Sequence, residues 1–497
     1  MLAEQNNNFR LLLKGLSGSS PAIIAGTVLQ LSGKSHFFIL HDKEEAAYFY
    51  NDLLNILPEK NILIFPSSYR RSIQYGQTDD GQLILRTHAL NQLNQFDGGL
   101  LAVVTYPEAI LEKVPSKDDM MKNTLTLNKG ELISIDFIKE ILETYHFEQV
   151  DFIYEPGQYA IRGSIVDVFS FSAEYPFRID FFGDEVDSIR AFEAESQLST
   201  EKLDTISIVP DVQRFNTNNT YVPVTKLIGN GSIFWSNDFQ DIISQMDDLS
   251  KIIEGDHKEK QNLYSGNELK SELVLQSTIE FGNRSMFEEA VEFNFNTRPQ
   301  PLFRKNFMVL GENLRNFHDE GYSTIILSEN EKQIDRITDI FRDTNPDIRF
   351  DYSLQVFHGG YIDDDIKTCL FTDHQIFDRY HKYRLHKYYS GKASISLNEL
   401  RDLKPGDYIV HSDHGIGRFG GLEKINMNGR SQETIRLVYR DNDVLYVNIH
   451  SLHRISKYKG KDDKEPRINK LGSGAWQKLK ENTKKKVKDI AKDLIAL

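Results

Sequence analysis

The chain has 497 residues, and a length of this order predicts about three or more domains, each with its own hydrophobic core. It is acidic, with 59 Lys and Arg against 73 Asp and Glu and a formal net charge of −14, which argues against a surface generally adapted to nucleic acid. A single cysteine, Cys369, excludes a disulfide framework and a thiolate zinc site. The chain has neither a signal-peptide pattern nor an apolar run of about 18 residues, which predicts a cytoplasmic protein without a membrane span.

The first 122 residues alternate short apolar runs with helical patterns. The runs are typical of buried strands and lie at residues 37–40, 62–65 and 101–104. Between the first two, residues 43–56 place apolar side chains at helical spacing. Because strands that alternate with helices at this rhythm form parallel sheets, we expect a doubly wound α/β domain.

A glycine-containing stretch, residues 15–22, stands where a phosphate-binding loop would precede the first helix. Such a loop needs a glycine for close backbone approach, a lysine for the β- and γ-phosphates and a Ser or Thr for Mg²⁺. After Gly15, these three places are occupied by Ser20, Pro21 and Ala22. Because the lysine charge and the metal ligand are missing, we expect a degenerate P-loop NTPase-like sheet without nucleotide, metal or catalytic residues.

The sequence of residues 155–192 predicts a β-hairpin, and the function expected of the chain depends mainly on this stretch. Apolar side chains alternate along its first strand with Arg178, Asp180 and Phe182, so these three share a polar face. Phe182 breaks the polar pattern, and it either packs under a neighbouring loop or is exposed. With Arg178 on its face and Arg162 in the preceding turn, an exposed Phe182 has the composition of a protein-binding hot spot.

The same stretch resembles the UvrA-binding domain that is shared by two bacterial repair families, the excision-repair protein UvrB and the transcription-repair coupling factor. The resemblance rests on turn glycines, strand pattern and both arginines, at Pro156-Gly157, Arg162-Gly163, Asp167-Val168-Phe169 and Arg178-Ile179-Asp180-Phe181-Phe182. It implies that Arg162, Arg178 and Phe182 contact UvrA.

The two families differ upstream of this stretch. UvrB keeps an intact phosphate loop and a long aromatic hairpin that grips DNA. In this chain the loop is altered, and residues 66–90 offer only Tyr69 and Tyr75 in a short polar connection. Both losses are typical of the coupling factor family, which the chain therefore resembles more closely.

The patterns divide the chain into six segments. A β-rich insert interrupts the parallel sheet, and a small α/β domain of uncertain role follows it. The predicted segments are 1–122 and 207–302 for the sheet domain, 123–206 for the insert, 303–390 for the small domain, 396–466 for a β-barrel and 467–497 for a C-terminal helix.

Two stretches of the small domain have competing interpretations. Residues 379–389, RYHKYRLHKYY, interleave basic and aromatic side chains that could stack nucleic-acid bases, but an amphipathic linker explains them as well and is favoured. The run Asp363-Asp364-Asp365 predicts a solvated turn rather than a metal site, because no carboxylate or histidine lies at ligand spacing.

From residue 403 onwards, short strand patterns and glycine corners predict a small SH3/Tudor-like barrel. His411, Asp413 and His414 do not predict a metal site, because this group does not supply three ligands at suitable spacing. The motif PGDYIVHSDHGIGRFGG resembles the RNA-polymerase-interacting domain of the CarD family. That resemblance implies pairing of an edge strand with the polymerase β subunit. The corresponding strand is Leu422, Glu423, Lys424, Ile425, Asn426 and Met427, with Ile425 as an outward apolar candidate.

The C-terminal segment predicts a basic helix that ends on its apolar stripe. Trp476, Leu479, Val487 and Ile490 lie near helical spacing, and no Gly or Asn cap follows. Residues 454–497 carry 14 Lys and Arg against 6 Asp and Glu. In the coupling factor family a linker helix here leads into an ATP-driven double-stranded-DNA translocase of the helicase superfamily type, which uses ATP and Mg²⁺ and is absent from this chain.

The expected function is that of a non-catalytic adaptor in transcription-coupled DNA repair, which binds UvrA through the insert and RNA polymerase through the barrel. Two alternatives remain. A UvrB-type ATPase is opposed by Pro21 and by the missing DNA-gripping hairpin, and a CarD-like transcription regulator has no need of residues 1–302.

Overall fold

The computed structural model describes residues 8–68, 80–96, 100–194, 197–212, 220–229, 231–256, 263–344, 348–379, 403–411, 414–427, 430–448, 455–458, 466, 468–471, 476 and 478. The chain forms two compact units, the first of residues 1–192 and 200–388 and the second of residues 193–199 and 389–497.

The chain begins with alternating strands and helices, as predicted. Asp42 caps the second helix by accepting a hydrogen bond from the Glu45 amide (2.8 Å), which is why that helix begins at Lys43. The elements are β1 (Arg10–Lys14), α1 (Ser20–Ser32), β2 (His36–Ile39), α2 (Lys43–Ile56), β3 (Asn61–Ile64), α3 (Asp80–Gln95), β4 (Leu101–Thr105), α4 (Pro107–Ile110), β5 (Val114–Pro115) and α5 (Lys117–Lys122).

The insert follows and is mostly β-structure. Its elements are β6 (Leu125–Asn128), α6 (Ile135–Thr144), β7 (Glu148–Gln149), β8 (Gln158–Arg162), β9 (Ile165–Val168), β10 (Phe177–Phe182), β11 (Glu185–Phe192), β12 (Ser199–Leu203) and β13 (Thr205–Ile208). β7 to β12 form a six-stranded sheet in the order β12-β11-β10-β9-β8-β7, while β6 and β13 pair separately. The insert thus extends to Ile208, slightly past the expected boundary at residue 206.

The chain then returns to the first sheet through β14 (Tyr221–Val222), a 3₁₀ turn (Val224–Leu227), β15 (Ile233–Ser236), α7 (Phe239–Asp256), α8 (Gly266–Leu273), β16 (Ser277–Phe281) and β17 (Val291–Asn294). The first sheet has the order β17-β1-β16-β15-β2-β4-β3, and its pairings are all parallel. β2 and β4 are buried along their whole length, as in sheets that helices cover on both faces. The predicted parallel α/β sheet is confirmed.

The small domain contains β18 (Thr297–Pro299), α9 (Phe307–Asp319), β19 (Ser323–Leu327), α10 (Glu331–Thr344), β20 (Asp351–Ser353), β21 (Tyr361–Asp363), β22 (Thr368–Thr372) and α11 (Asp373–Ile376). Its sheet has the order β18-β21-β22-β19-β20, and a separate apolar core lies around Leu310, Ile326 and Phe371. The first strand lies before residue 303, so the domain begins earlier than expected.

The aspartate run ends β21 and enters the predicted turn, where Asp365 is exposed, and its carboxylates also have protein partners. Asp364 forms a two-fold ion pair with Arg298 (2.9 Å for each bond), and Asp365 accepts hydrogen bonds from Asn296. These carboxylates therefore attach β18 to the domain. Residues 380–389, the greater part of the basic and aromatic stretch, lie outside the described residues.

The second unit contains β23 (Tyr408–His411), β24 (Gly415–Met427), β25 (Arg430–Val438), a 3₁₀ turn (Arg440–Asn442), β26 (Val444–Asn448) and β27 (Ile455–Lys457). These strands form a five-stranded antiparallel sheet in the order β26-β25-β24-β23-β27, over a core that includes Ile409, Ile435 and Leu437. The predicted helix over 467–497 lies almost entirely outside the described residues.

Candidate functional site

The hairpin of β10 and β11 is built as predicted, with a two-residue turn. Phe182 pairs with Glu185, and Gly183 between them has a positive φ of 64° while Asp184 does not. A glycine at the first central position is typical of the type II′ turn, whose twist suits a hairpin. Ile179 and Phe181 are buried in the insert core, while Phe182 is exposed. The predicted alternation along β10 therefore holds.

The strand register places all three predicted residues on one face of the sheet. Residues paired across neighbouring strands point to the same side. Asp180 pairs with Ile165, and Ile165 pairs with Arg162, so Arg162 shares the face of Arg178, Asp180 and Phe182. The sequence alone placed only the last three on a common face.

Arg178 is held by a buried carboxylate rather than exposed. Its Nε and Nη2 atoms donate to the two oxygens of Asp167 at 2.7 and 2.8 Å, and Asp167 is only 1% exposed. The guanidinium also lies over the Phe192 ring, 4.4 Å from its centroid. The hydrogen bonds that Arg178 donates to Asp167 raise the pKa of Arg178 above its ordinary value. Arg178 thus lies on the predicted face with Phe182, but its guanidinium is bound to Asp167 and only 17% of its side chain is exposed.

Arg162 meets the same carboxylate. Its Nη2 donates to Asp167, its Nη1 donates to the carbonyl of Asp151 (3.0 Å), and its guanidinium lies near the half-exposed Phe152 ring. The side chain of Arg162 is 36% exposed against 17% for Arg178. Asp167 thus fixes two arginines side by side, and Arg162 is the more exposed of the two.

Phe182 lies at the turn and is 81% exposed. The two possibilities left by the sequence are therefore decided, because no loop covers the ring. Covering an aromatic ring that is exposed to this extent would lower the free energy, because its apolar surface would be removed from water.

A charged cleft continues this face. Asp180 accepts hydrogen bonds from Arg190 (2.7 Å) and Ser188 (2.8 Å). These residues line a cleft of about 480 Å³ together with Lys129, Lys202 and Asp204. The face therefore combines one exposed aromatic ring with a fixed pattern of paired charges.

The altered phosphate loop is filled by the protein itself. The Ser19 amide, which would face a phosphate at the start of α1, donates to the carbonyl of Gly359 (2.9 Å). The Gly359 amide donates in return to the Ser19 hydroxyl (2.9 Å). The hydroxyl of Ser20 bonds within the loop, to the carbonyl of Ser17 (2.7 Å).

The glycines of the loop allow close approach of backbone rather than phosphate. Gly18 has a φ of 57°, and a Cβ there would lie 2.8 Å from the Gly359 carbonyl oxygen and 2.7 Å from that of Gly360. A Cβ on Gly15, which also has a positive φ, would collide with the carbonyl oxygen of Phe295. Pro21 and Ala22 lie in the first turn of α1, and Ala22 is buried.

The predicted polymerase-binding strand is the second half of β24. Leu422 to Met427 pair with β25 in register, with Ile425 opposite Gln432. The pairing of β23 with β24 covers only Gly415 to Arg418, so within the described strands the second half of β24 has a neighbour on one side only. Leu422 is 47% exposed, and Glu423 forms an ion pair with Arg436 (3.0 Å).

Several residues of these sites were missed by the sequence analysis. Asp167 was within the motif, and its alternation with Val168 could have placed it beside Arg178. The contacts of Ser19 with Gly359 join residues 340 positions apart, and no local pattern predicts them. Within the described residues, no group of three His, Cys, Asp or Glu side chains could hold a metal ion, and no helix is long and apolar enough to cross a bilayer.

Two protein-family profiles match the chain. The UvrB interaction domain matches residues 125–213, which contain the hairpin and its arginines, and the CarD-like/TRCF RID domain matches residues 403–459, which contain β23 to β27. The two matches fall on the two segments for which the motifs predict these domains, in the predicted order.

Nearly the whole chain is similar to transcription-repair-coupling factors. The protein of Bacillus subtilis strain 168 is 23% identical, covering 98% of this chain and 48% of its own length. The protein of Staphylococcus aureus strain bovine RF122 / ET3-1 gives the same three values. The chain spans about half the length of the curated relatives it matches, and the predicted resemblance to the coupling factor is confirmed.

Proposed function

We propose that this chain is the adaptor part of a transcription-repair coupling factor, acting in the cytoplasm, with UvrA as one partner and the β subunit of RNA polymerase as the other. The observation that carries the UvrA assignment is the exposed Phe182 ring, which shares one sheet face with Arg162 and Arg178 inside the segment that the UvrB interaction domain matches. An exposed aromatic beside fixed arginines is the usual composition of a binding hot spot.

The chain itself is proposed to be no enzyme and to need no cofactor. The loop that would take the phosphates of ATP is occupied by Gly359, and the lysine and the metal-binding hydroxyl are replaced by Pro21 and Ala22. We propose that its parallel sheet is a degenerate P-loop NTPase-like fold. We propose that ATP-driven translocation on double-stranded DNA, with ATP and Mg²⁺, belongs to the part of the longer coupling factors that this chain does not match.

The polymerase contact is assigned to the second half of β24, on a sheet that we propose to be an SH3/Tudor-like barrel. An edge with free backbone groups can add a strand from a partner. Ile425→Arg is expected to weaken polymerase binding by several kcal/mol, because an edge-strand contact would desolvate the new charge. Polymerase retention equal to the wild type, with the sheet still folded, would assign the contact to another strand or face.

A pull-down against purified UvrA and purified RNA polymerase tests the proposal as a whole. Retention of both partners is expected, whereas a CarD-like regulator would retain the polymerase alone. Calorimetry with ATP and Mg²⁺ addresses the UvrB-type alternative. A micromolar affinity that is lost on mutation of Ser19 or Ser20 would contradict the adaptor assignment.

A further inference from the structure

Leu132 is a second exposed apolar side chain next to the hairpin turn. It is 80% exposed and forms a β-bridge with Glu185, the residue that also pairs with Phe182. Because bridged residues point to the same side of a sheet, Leu132, Glu185 and Phe182 form one row on one face. Two strand spacings separate the ends of this row, which amounts to about 10 Å.

The backbone around Leu132 is fixed in place. The Ile133 amide donates to the carbonyl of Asp184 (2.8 Å), and the amides of Val186 and Gly130 complete the contact, with Val186 donating to Glu131 (2.9 Å) and Gly130 donating to Val186 (2.8 Å). An exposed leucine on a fixed backbone loses little conformational entropy when a partner covers it, in contrast to one on a loose loop.

We propose that Leu132 is a second apolar anchor for the partner that covers Phe182. This inference rests on the proposed function, in which that partner is UvrA. The complementary surface on UvrA then has two apolar depressions about 10 Å apart. Between them lies a basic side chain that faces Glu185. Leu132 lies within the segment that matches the UvrB interaction domain, which makes its position continuous with the proposed contact face.

Titration of UvrA against single variants tests this anchor. Leu132→Ala is expected to weaken binding about tenfold and Leu132→Asp about thirtyfold or more, with unchanged unfolding curves, since the side chain makes little packing contact. The matched control is Leu275→Ala, because Leu275 is 70% exposed and lies outside the matched segment.

The outcomes separate this inference from the proposed function. Weak binding by Phe182→Ala together with wild-type binding by Leu132→Ala and Leu132→Asp overturns the second anchor and leaves the UvrA assignment standing. Wild-type binding by all three variants overturns both. Equal losses for Leu132→Ala and the Leu275→Ala control also overturn the anchor, because the effect would not be specific to this row.

A different set of contacts concerns the small domain, whose role the sequence leaves open. Residues 356–359 lie against α1 and α2 of the parallel sheet domain. Asn55 donates to the carbonyl of Val356 (2.6 Å), and Asp52 accepts from the His358 amide (2.8 Å). The His358 ring stacks on Tyr48, with the ring centroids 3.6 Å apart.

Together with the contacts between Ser19 and Gly359, these contacts form one continuous binding surface for residues 356–359. This surface, called the seat below, consists of Ser19, Tyr48, Asp52 and Asn55. The Ser19 hydroxyl accepts a hydrogen bond from the Gly359 amide. It also forms a hydrogen bond with Asp52, which is 3% exposed. On the other side, His374 contacts the carbonyl of His358 (2.9 Å), which ties the segment to the small domain. The seat therefore offers backbone and side-chain partners for a peptide segment where a nucleotide site would need a lysine and a metal ligand.

We infer that the former phosphate loop is a docking seat, and that the small domain is held to the parallel sheet through residues 356–359. The small domain has its own apolar core around Ile326 and Phe371, so it can remain folded when the seat is opened.

Hydrogen exchange of the whole chain tests the seat with Gly359→Val, since even a Cβ on Gly359 would lie 3.0 Å from the Gly18 Cα. The amide of Ser19 is expected to exchange at least tenfold faster, while the amide of Phe371 in the core strand keeps its protection. Unchanged protection at Ser19 overturns the seat. An equal rise at Ser19 and Phe371 also overturns it, because the domains would then be losing structure together rather than separating.

His358→Ala provides a second variant that introduces no clash. Loss of its stacking on Tyr48 is expected to raise exchange at Ser19 about threefold or more, again with Phe371 protected. Wild-type exchange at Ser19 in this variant, combined with failure of Gly359→Val to fold, overturns the inference.

Discussion

The former phosphate loop and the β10–β11 hairpin both use turn glycines, but their surroundings are opposite. At the loop, Gly18 and Ser19 are covered by residues 359–360 of the same chain. At the hairpin, a Cβ added to Gly183 would meet nothing within 4 Å, and Phe182 is 81% exposed. A motif is therefore available to a partner only where the fold leaves it uncovered. Mutations in the two regions should consequently differ in their effects on stability and on binding.

The largest effect on stability is expected inside the hairpin face. Arg178→Ala removes two hydrogen bonds to the buried Asp167 and leaves it with only the more exposed Arg162, so the free energy of unfolding should fall by about 3 kcal/mol. Urea unfolding measures this change. Arg190→Ala is the matched control, and it should cost about 1 kcal/mol or less, because its partner Asp180 is 22% exposed. Equal small losses in both variants would mean that Asp167 is not a buried anchor.

A somewhat smaller loss is expected at the covered loop. Gly18→Ala should destabilise the protein by about 2–3 kcal/mol more than Gly33→Ala. Both glycines have a positive φ, 57° and 65°, so the backbone strain of an alanine is common to the two variants. Only at Gly18 would the new Cβ meet carbonyl oxygens, those of Gly359 and Gly360. Thermal unfolding compares the pair, and indistinguishable melting temperatures would contradict the close contact.

Ionisation of Asp52 should make the stability of the folded protein depend on pH. Burial raises its pKa from 3.8 to about 7 in the folded protein. Between about pH 4 and pH 7 the folded chain thus holds a proton that the unfolded chain has lost. The free energy of unfolding should therefore fall as pH rises through this window and level off above it.

Comparison with Asp52→Asn isolates this term. Asparagine keeps an acceptor for the His358 amide but cannot ionise. The free energy of unfolding of the variant should therefore rise by about 2 kcal/mol relative to that of the wild type between pH 5 and pH 8. The variant comparison is needed because the pKa of the buried His36 is lowered by burial to about 3, and His36 contributes a loss of stability towards acid, in the opposite direction. Parallel pH profiles for the two proteins would show that Asp52 is not desolvated in the seat.

The sequence predicted the parallel sheet and the hairpin because both depend on local periodicity. Apolar runs indicated β2, β3 and β4, and the alternation along β10 indicated which side chains share a face. Periodicity gives the face of a residue but not its partner, so the pairing of Arg178 with the buried Asp167 of the neighbouring strand was not predicted.

The covered loop shows the same limit from another direction. Ser20, Pro21 and Ala22 predicted the loss of nucleotide binding, because a missing lysine is visible in the residues themselves. What fills the loop depends on a segment more than 300 positions away and on the placement of a whole domain, so Gly359 could not be identified from sequence.

The smallest effect on stability is expected at Phe182, and it accompanies the largest effect on binding. Phe182→Ala should change the free energy of unfolding by no more than about 0.5 kcal/mol, because the ring is 81% exposed. Its affinity for UvrA should fall by about 2 kcal/mol or more, roughly thirtyfold, because a hot-spot aromatic supplies much of the apolar contact.

Titration of purified UvrA against the wild type and Phe182→Ala, with thermal unfolding of both proteins, tests most directly whether this open face binds UvrA. We expect superimposable melting curves and a loss of affinity of about thirtyfold. A large melting shift with unchanged UvrA affinity would contradict it, since Phe182 would then serve the fold and not the partner.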